Sequence, residues 1–250
     1  MTRLPIQFAR NAAIESIALS GDGSELAVVA GIARSQALRV YSMASGRLQH
    51  AWSTSASDSF SDMSWAGDSI MGFEADIPNS YQVFRNHDTK YADEIRTLDI
   101  NAPGTDLLAD SHVVWSQEIP VAKPSRHLPM FGVHTPGVCY MPFLTGNAQT
   151  VVCASSTRSG HNHRLSADWL AYPVATPTKP RVLASILMPK DVDGVTAETV
   201  EWTNASGTEL ISSWSSFVIT PGTGRGSNFI GFVGGGTFRP FPFVPNGEGW

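Results

Sequence analysis

The stretch "LSGDGSELAVVA", residues 19–30, sets a polar turn at Asp22-Gly23 between two apolar runs. Gly supplies the left-handed backbone that a tight turn needs, and Asp bonds to backbone two residues on, so the stretch reads as a β-hairpin. The fold depends on whether that hairpin stands alone. Aligned on its turn, "IALSGDGSELAVVA" has relatives in "MSWAGDSIMGFEA" (63–75), "MPFLTGNAQTVVCA" (141–154) and "VEWTNASGTELISS" (200–213). The turn pair itself drifts from Asp22-Gly23 to Asp68-Ser69, Asn147-Ala148 and Ser206-Gly207.

A second, weaker repeat follows each hairpin. "LRVYSMASGRLQHAW" (38–52) turns at Ser45-Gly46, "IRTLDINAPGTDLLA" (95–109) at Pro103-Gly104, "WLAYPVATPTKPRVLA" (169–184) near Pro177, and "FIGFVGGGTFRPFP" (229–242) at Gly234 to Gly236. β-branched and aromatic residues fill the flanks, and Pro or Gly at each break stops a helix from running through. Four units of four short antiparallel strands result, with expected bounds 10–54, 55–117, 135–188 and 196–244 in one domain spanning 1–250. Such units are the signature of an all-β protein of the β-propeller class, each unit a blade. A β-sandwich built from the same hairpins competes. The spacing favours the propeller, because Gly23 and the matching Ser69 lie 46 residues apart, near a blade period.

The combination "SGDGSELAVV…LRVYSMASGRLQHAW", "SWAGDS", "LDINAPGTDLLADS", "TVVCAS" and "GGGTFRPFP" resembles the C-terminal part of actinobacterial WD-repeat-like or TolB-like propeller proteins. No Trp-Asp dipeptide closes a blade, which departs from the eukaryotic WD repeat. Proteins of the kind it resembles carry more blades, often behind a membrane anchor or signal. The resemblance therefore implies earlier blades upstream of Met1, and an extracytoplasmic site if an anchor or signal precedes them, a cytoplasmic one otherwise. An open arc of blades would leave apolar faces uncovered and would self-associate.

The charge of −5, from 22 acids against 17 bases, disfavours nucleic acid as the main partner, since a phosphate backbone calls for clustered positive charge. No segment reaches the roughly 18 apolar residues of a membrane span. Cys139 and Cys153 straddle the third hairpin turn symmetrically about Gly146, so they should lie nearly opposite on one sheet face. The positions admit either a disulfide or two buried thiols, and a disulfide would favour an oxidising compartment.

Function is sought in the connections, because propeller strands are scaffold. Turns joining first to second and third to fourth strands open on one face and are short. The other face takes the long connections, expected at 76–94, 117–136, 155–167 and 213–228. These carry the candidate ligand-binding residues His87, Arg126, His127, His134, Arg158, His161, His163 and Arg225. His161 and His163 alternate so as to share one side of an extended segment, yet two histidines are half a metal site, and completion would take His127, His134 or Asp168. No metal or other cofactor is expected. No Gly-x-Ser-x-Gly elbow appears, and "GTGRGS" (222–227) lacks the Lys and the strand-to-helix setting of a phosphate loop. A non-catalytic scaffold binding a protein or cell-envelope component is the favoured reading. A propeller hydrolase or lactonase with a metal or His/Asp site, and a truncated propeller without independent function, are the alternatives.

Overall fold

A computed structural model of the chain describes residues 13–32, 35–54, 59–67, 69–78, 90–120, 139–158, 165–188, 194–220 and 223–241. Among these residues there is no helix, and every regular element is a strand. The first sheet holds β1 (Ala13–Leu19), β2 (Glu25–Ile32), β3 (Ser35–Ser42) and β4 (Leu48–Ser53). The second holds β5 (Ser59–Ala66), β6 (Ile70–Pro78), β7 (Lys90–Asp99) and β8 (His112–Pro120). The third is β9 (Cys139–Leu144), β10 (Thr150–Arg158), β11 (Leu165–Pro173) and β12 (Arg181–Leu187), and the fourth β13 (Gly194–Thr203), β14 (Leu210–Thr220), β15 (Thr223–Gly234) and β16 (Thr237–Pro240). Each sheet is an antiparallel meander with its strands in sequence order. The four sheets are the blades of a four-bladed β-propeller.

The apolar residues of each blade meet those of the next, so the core lies in seams between blades. Ala27, Val29, Leu38, Val40 and Trp52 of the first blade bury against Met63, Met71, Phe73 and Leu98 of the second. Ile95 and Trp115 of the second meet Cys139, Leu144, Val151 and Cys153 of the third. Trp169, Ala171 and Leu183 of the third meet Val200, Leu210 and Val233 of the fourth. Aromatic pairs lock two of these seams. Trp115 stands edge-on to Tyr172 at 5.5 Å, and Trp169 stacks on Phe238 at 4.7 Å.

Polar contacts also bridge the blades. Gln117 on β8 accepts from the Cys139 N–H at 2.9 Å and donates to the Cys139 carbonyl, a two-point clamp between second and third blades. The end of β4 is tied to the second blade by Ser53 N–H to Thr105 O and Leu107 N–H to Ser53 O, at 2.9 and 3.0 Å.

Two expectations from sequence are corrected. The outermost strand of the second blade does not follow the Pro103-Gly104 turn directly. It is β8, from His112, and the intervening segment runs beside β4 of the first blade, with Leu107 fully buried in the seam between the two. Arg96 on β7 holds it there, donating from Nε to Ser111 Oγ at 2.9 Å and from Nη2 to Leu108 O at 2.9 Å, with Glu94 paired to Nη1. The second correction concerns 213–228, which is not a long loop. β14 and β15 pair continuously from Leu210↔Val233 to Thr220↔Thr223, so the region is hairpin almost to its tip.

Cys139 and Cys153 are joined as a disulfide with Cα atoms 5.6 Å apart. They are not directly opposite. Cys139 pairs with Ser155, and the β9–β10 register shifts between Val152 and Ala154. Pro142 lies in the displaced stretch, where its missing N–H costs no ladder bond. Cys153 is thus a diagonal neighbour on the same face as Cys139.

Candidate functional site

Two regions bear on function, one on each face of the disc. On the long-connection face, the second and third strands of three blades stay paired far toward their connections. The β6–β7 ladder continues to Pro78↔Tyr91, with β8 alongside to Lys90↔Pro120. The β10–β11 ladder reaches Arg158↔Leu165. The β14–β15 ladder reaches Thr220↔Thr223. Continuous pairing holds these segments as ribbons rather than as open loops.

Of the candidate residues, Arg158 is the last residue of β10, and Arg225 lies on β15 opposite Val218. His87, Arg126, His127, His134, His161 and His163 lie outside the described residues. Asp168, the candidate third metal ligand, is on β11 and accepts hydrogen bonds from Ser166 Oγ at 3.1 Å and from Ser185 Oγ. No group of three or more His, Cys, Asp or Glu side chains gathers in metal-binding geometry among the described residues.

The other region was not singled out in the sequence. The first strands β1, β5, β9 and β13 are the inner edges of their sheets, and together they border one open pocket of about 580 Å³ at the end where the short turns lie. Each blade sends the residue three places before its aligned turn position (Gly21, Gly67, Gly146 or Ala205) into the lining: Ala18, Ser64, Phe143 and Trp202. Met63 and Trp65 add to the wall, as do Ile17 and Leu19. The signal was present in the aligned hairpins, but only the meeting of four blades makes those positions neighbours.

The short turns around this pocket are built alike. Ser20 N–H donates to Glu25 O, Thr145 N–H to Thr150 O and Asn204 N–H to Glu209 O, all at 2.9 Å. Asp22 Oδ1 accepts from Ser24 N–H at 2.9 Å and from Ser20 Oγ at 2.7 Å. Asn147 Oδ1 repeats this with Gln149 N–H at 3.0 Å and Thr145 Oγ1 at 2.7 Å. In the fourth blade the acceptor moves to Asn204, which takes Thr208 N–H at 2.9 Å. The Ser24 backbone N–H, then the Ser20 and Ser24 hydroxyls, hold the Asp22 carboxyl below its ordinary value. Burial raises Glu25 above the usual value, against the attraction of His50. Burial likewise raises the Tyr172 phenol.

No family model and no curated protein matches the sequence. Solved structures do resemble the fold. TolB from Acinetobacter baumannii is 13% identical over 91% of this chain and 43% of its own, with a TM-score of 0.47. The β-propeller domain of the Trilobed protease from Pyrococcus furiosus is 8% identical over 92% of this chain and 57% of its own, at 0.46. A puromycin-hydrolysing peptidase of Mycobacterium tuberculosis is 13% identical over 94% of this chain and 30% of its own, at 0.44. The chain spans 57% or less of each of these three, and at such identities the likeness is one of fold alone.

Proposed function

We propose that the protein is a non-catalytic recognition scaffold that docks a protein or cell-envelope component on its long-connection face. The observation that carries this reading is the unbroken pairing of the β6–β7, β10–β11 and β14–β15 hairpins, out to Pro78↔Tyr91, Arg158↔Leu165 and Thr220↔Thr223 on that face. Ribbons of this kind present side chains at little entropic cost on binding, which is what a recognition surface needs. Arg158 and Arg225 stand on two of them, and Arg is a common anchor of interfaces. The Cys139–Cys153 bridge supports an oxidising, extracytoplasmic setting for the same activity.

Immobilised protein is expected to retain a partner from envelope extract of its source organism. Arg158→Ala with Arg225→Ala, and His161→Ala with His163→Ala, each weaken retention about tenfold or more, whereas Ser24→Ala on the opposite face leaves it unchanged. Retention that fails in Ser24→Ala and persists in the two double variants would place the docking surface on the wrong side of the disc.

A further inference from the structure

The axial pocket on the short-turn face has the build of a small-molecule site. Its volume of about 580 Å³ falls within the roughly 300–1,000 Å³ of such sites. Ala18 and Ser64 from the first two blades are small, while Phe143 and Trp202 from the last two are aromatic, so two sides make room and two supply flat apolar surface. A pocket bordered by inner edge strands would ordinarily bristle with free backbone groups. Here cross-blade side chains take some of them up. Trp65 Nε1 donates to Ala18 O at 3.1 Å, and Ser64 Oγ donates to Leu144 O at 3.1 Å. The Thr203 hydroxyl is turned to Asn204 O at 3.0 Å. These three side-chain donors are therefore spent on backbone, and no charged side chain lines the pocket among the described residues.

Such a lining brings no charged side chain to offset the desolvation of an ion, while its aromatic and aliphatic side chains gain from apolar contact. Ile17, Leu19 and Trp202 remain 64%, 54% and 47% exposed, so the wall has apolar surface still to bury. We propose that this pocket binds an uncharged, largely apolar small molecule with a ring that packs on Phe143 and Trp202. The site is separate from the long-connection face and does not rest on the docking function assigned there.

The probe is N-phenyl-1-naphthylamine, an uncharged fluorophore of this class. Saturable binding of one molecule per chain is expected. Trp202→Ala removes an exposed aromatic wall and weakens binding about tenfold or more. Ala18→Phe fills the void with a ring that the equivalent third-blade position already carries, and abolishes binding. Leu19→Asp, at a half-exposed position, puts a charge in the wall and does the same. Val182→Ser with Leu187→Ser removes exposed apolar residues of β12, outside the pocket, and leaves binding unchanged. Far-UV circular dichroism matched to wild type qualifies each variant. Non-saturating fluorescence overturns the assignment, as does binding that survives all three pocket variants or fails in the β12 control. A concentration-dependent dimer that excludes the probe and is dissolved by Leu19→Asp would also overturn it, because the pocket would then be filled by a second copy.

Discussion

Ala148 carries the plainest local strain, a φ of 56° in a turn where its counterparts are Gly23 at 73° and Gly207 at 65°. The left-handed region costs an L-residue about 1 kcal/mol or more, and glycine escapes that cost while giving back part of it as unfolded-state freedom. Ala148→Gly is therefore expected to raise stability by about 0.5 kcal/mol, seen as a higher urea midpoint at unchanged slope. Asp22 makes a different prediction. Because its folded-state carboxyl titrates below the unfolded one, it stabilises above the unfolded value, and that contribution is lost as pH falls through the lowered folded value. Asn147 shows that an amide oxygen makes the same turn, so Asp22→Asn should keep most stability near neutrality and flatten the acid limb of a urea-midpoint profile. Asp22→Ala should lower the midpoint at every pH above that limb.

Among elements, the second blade depends on one cation. The Arg96 side chain is 12% exposed and its guanidinium reaches Glu94, Leu108 O and Ser111 Oγ, anchoring the segment between β7 and β8. Arg96→Ala strands a mostly buried carboxylate and a carbonyl and should cost about 3 kcal/mol. Arg96→Lys should recover less than half, because an ammonium has no planar fork to serve three acceptors in different directions. Equilibrium urea denaturation of both variants decides the point, and equal stability of Lys and wild type would reduce the role of Arg96 to its charge alone. Gly72 has a related task between blades. A Cβ there would meet Leu144 Cδ2 at 2.7 Å, so the close approach of β6 to β9 depends on its absence.

At the scale of the molecule, stability comes from seams, and one seam also contains a disulfide that ties two strands of a single blade. The Cys139–Cys153 bridge closes a loop across 14 residues inside the cluster between second and third blades, beside the Gln117 clamp. Constraining a loop of that size in the unfolded chain is worth about 3 kcal/mol. Cys139→Ala with Cys153→Ala should lose about that much while the far-UV spectrum stays that of an antiparallel β protein. Peptide mapping without reductant should recover the linked pair, and two free thiols in oxidised folded protein would contradict the bridge.

The fourfold hairpin was readable because everything that makes it lies within about a dozen residues. Turn chemistry at Asp22-Gly23, Asn147-Ala148 and Ser206-Gly207 and alternating flanks are local causes, and their recurrence implied blades. Even the drifted pairs kept the turn, since Asn147 and Asn204 offer the same side-chain oxygen as Asp22. Three features waited for the tertiary structure. The outer strand of the second blade was set by Arg96 gripping a segment 12 to 15 residues further on. Within the Gly- and Ser-rich stretch 213–228, residues 213–220 and 223–228 became strand because each of β14 and β15 supplied the other's hydrogen bonds, overriding weak local propensity. The axial pocket arose because Ala18, Ser64, Phe143 and Trp202, far apart along the chain, converge only when four blades pack side by side. Local hydrogen bonding writes hairpins into a sequence, whereas a cavity between blades is a property of their packing and has no local cause.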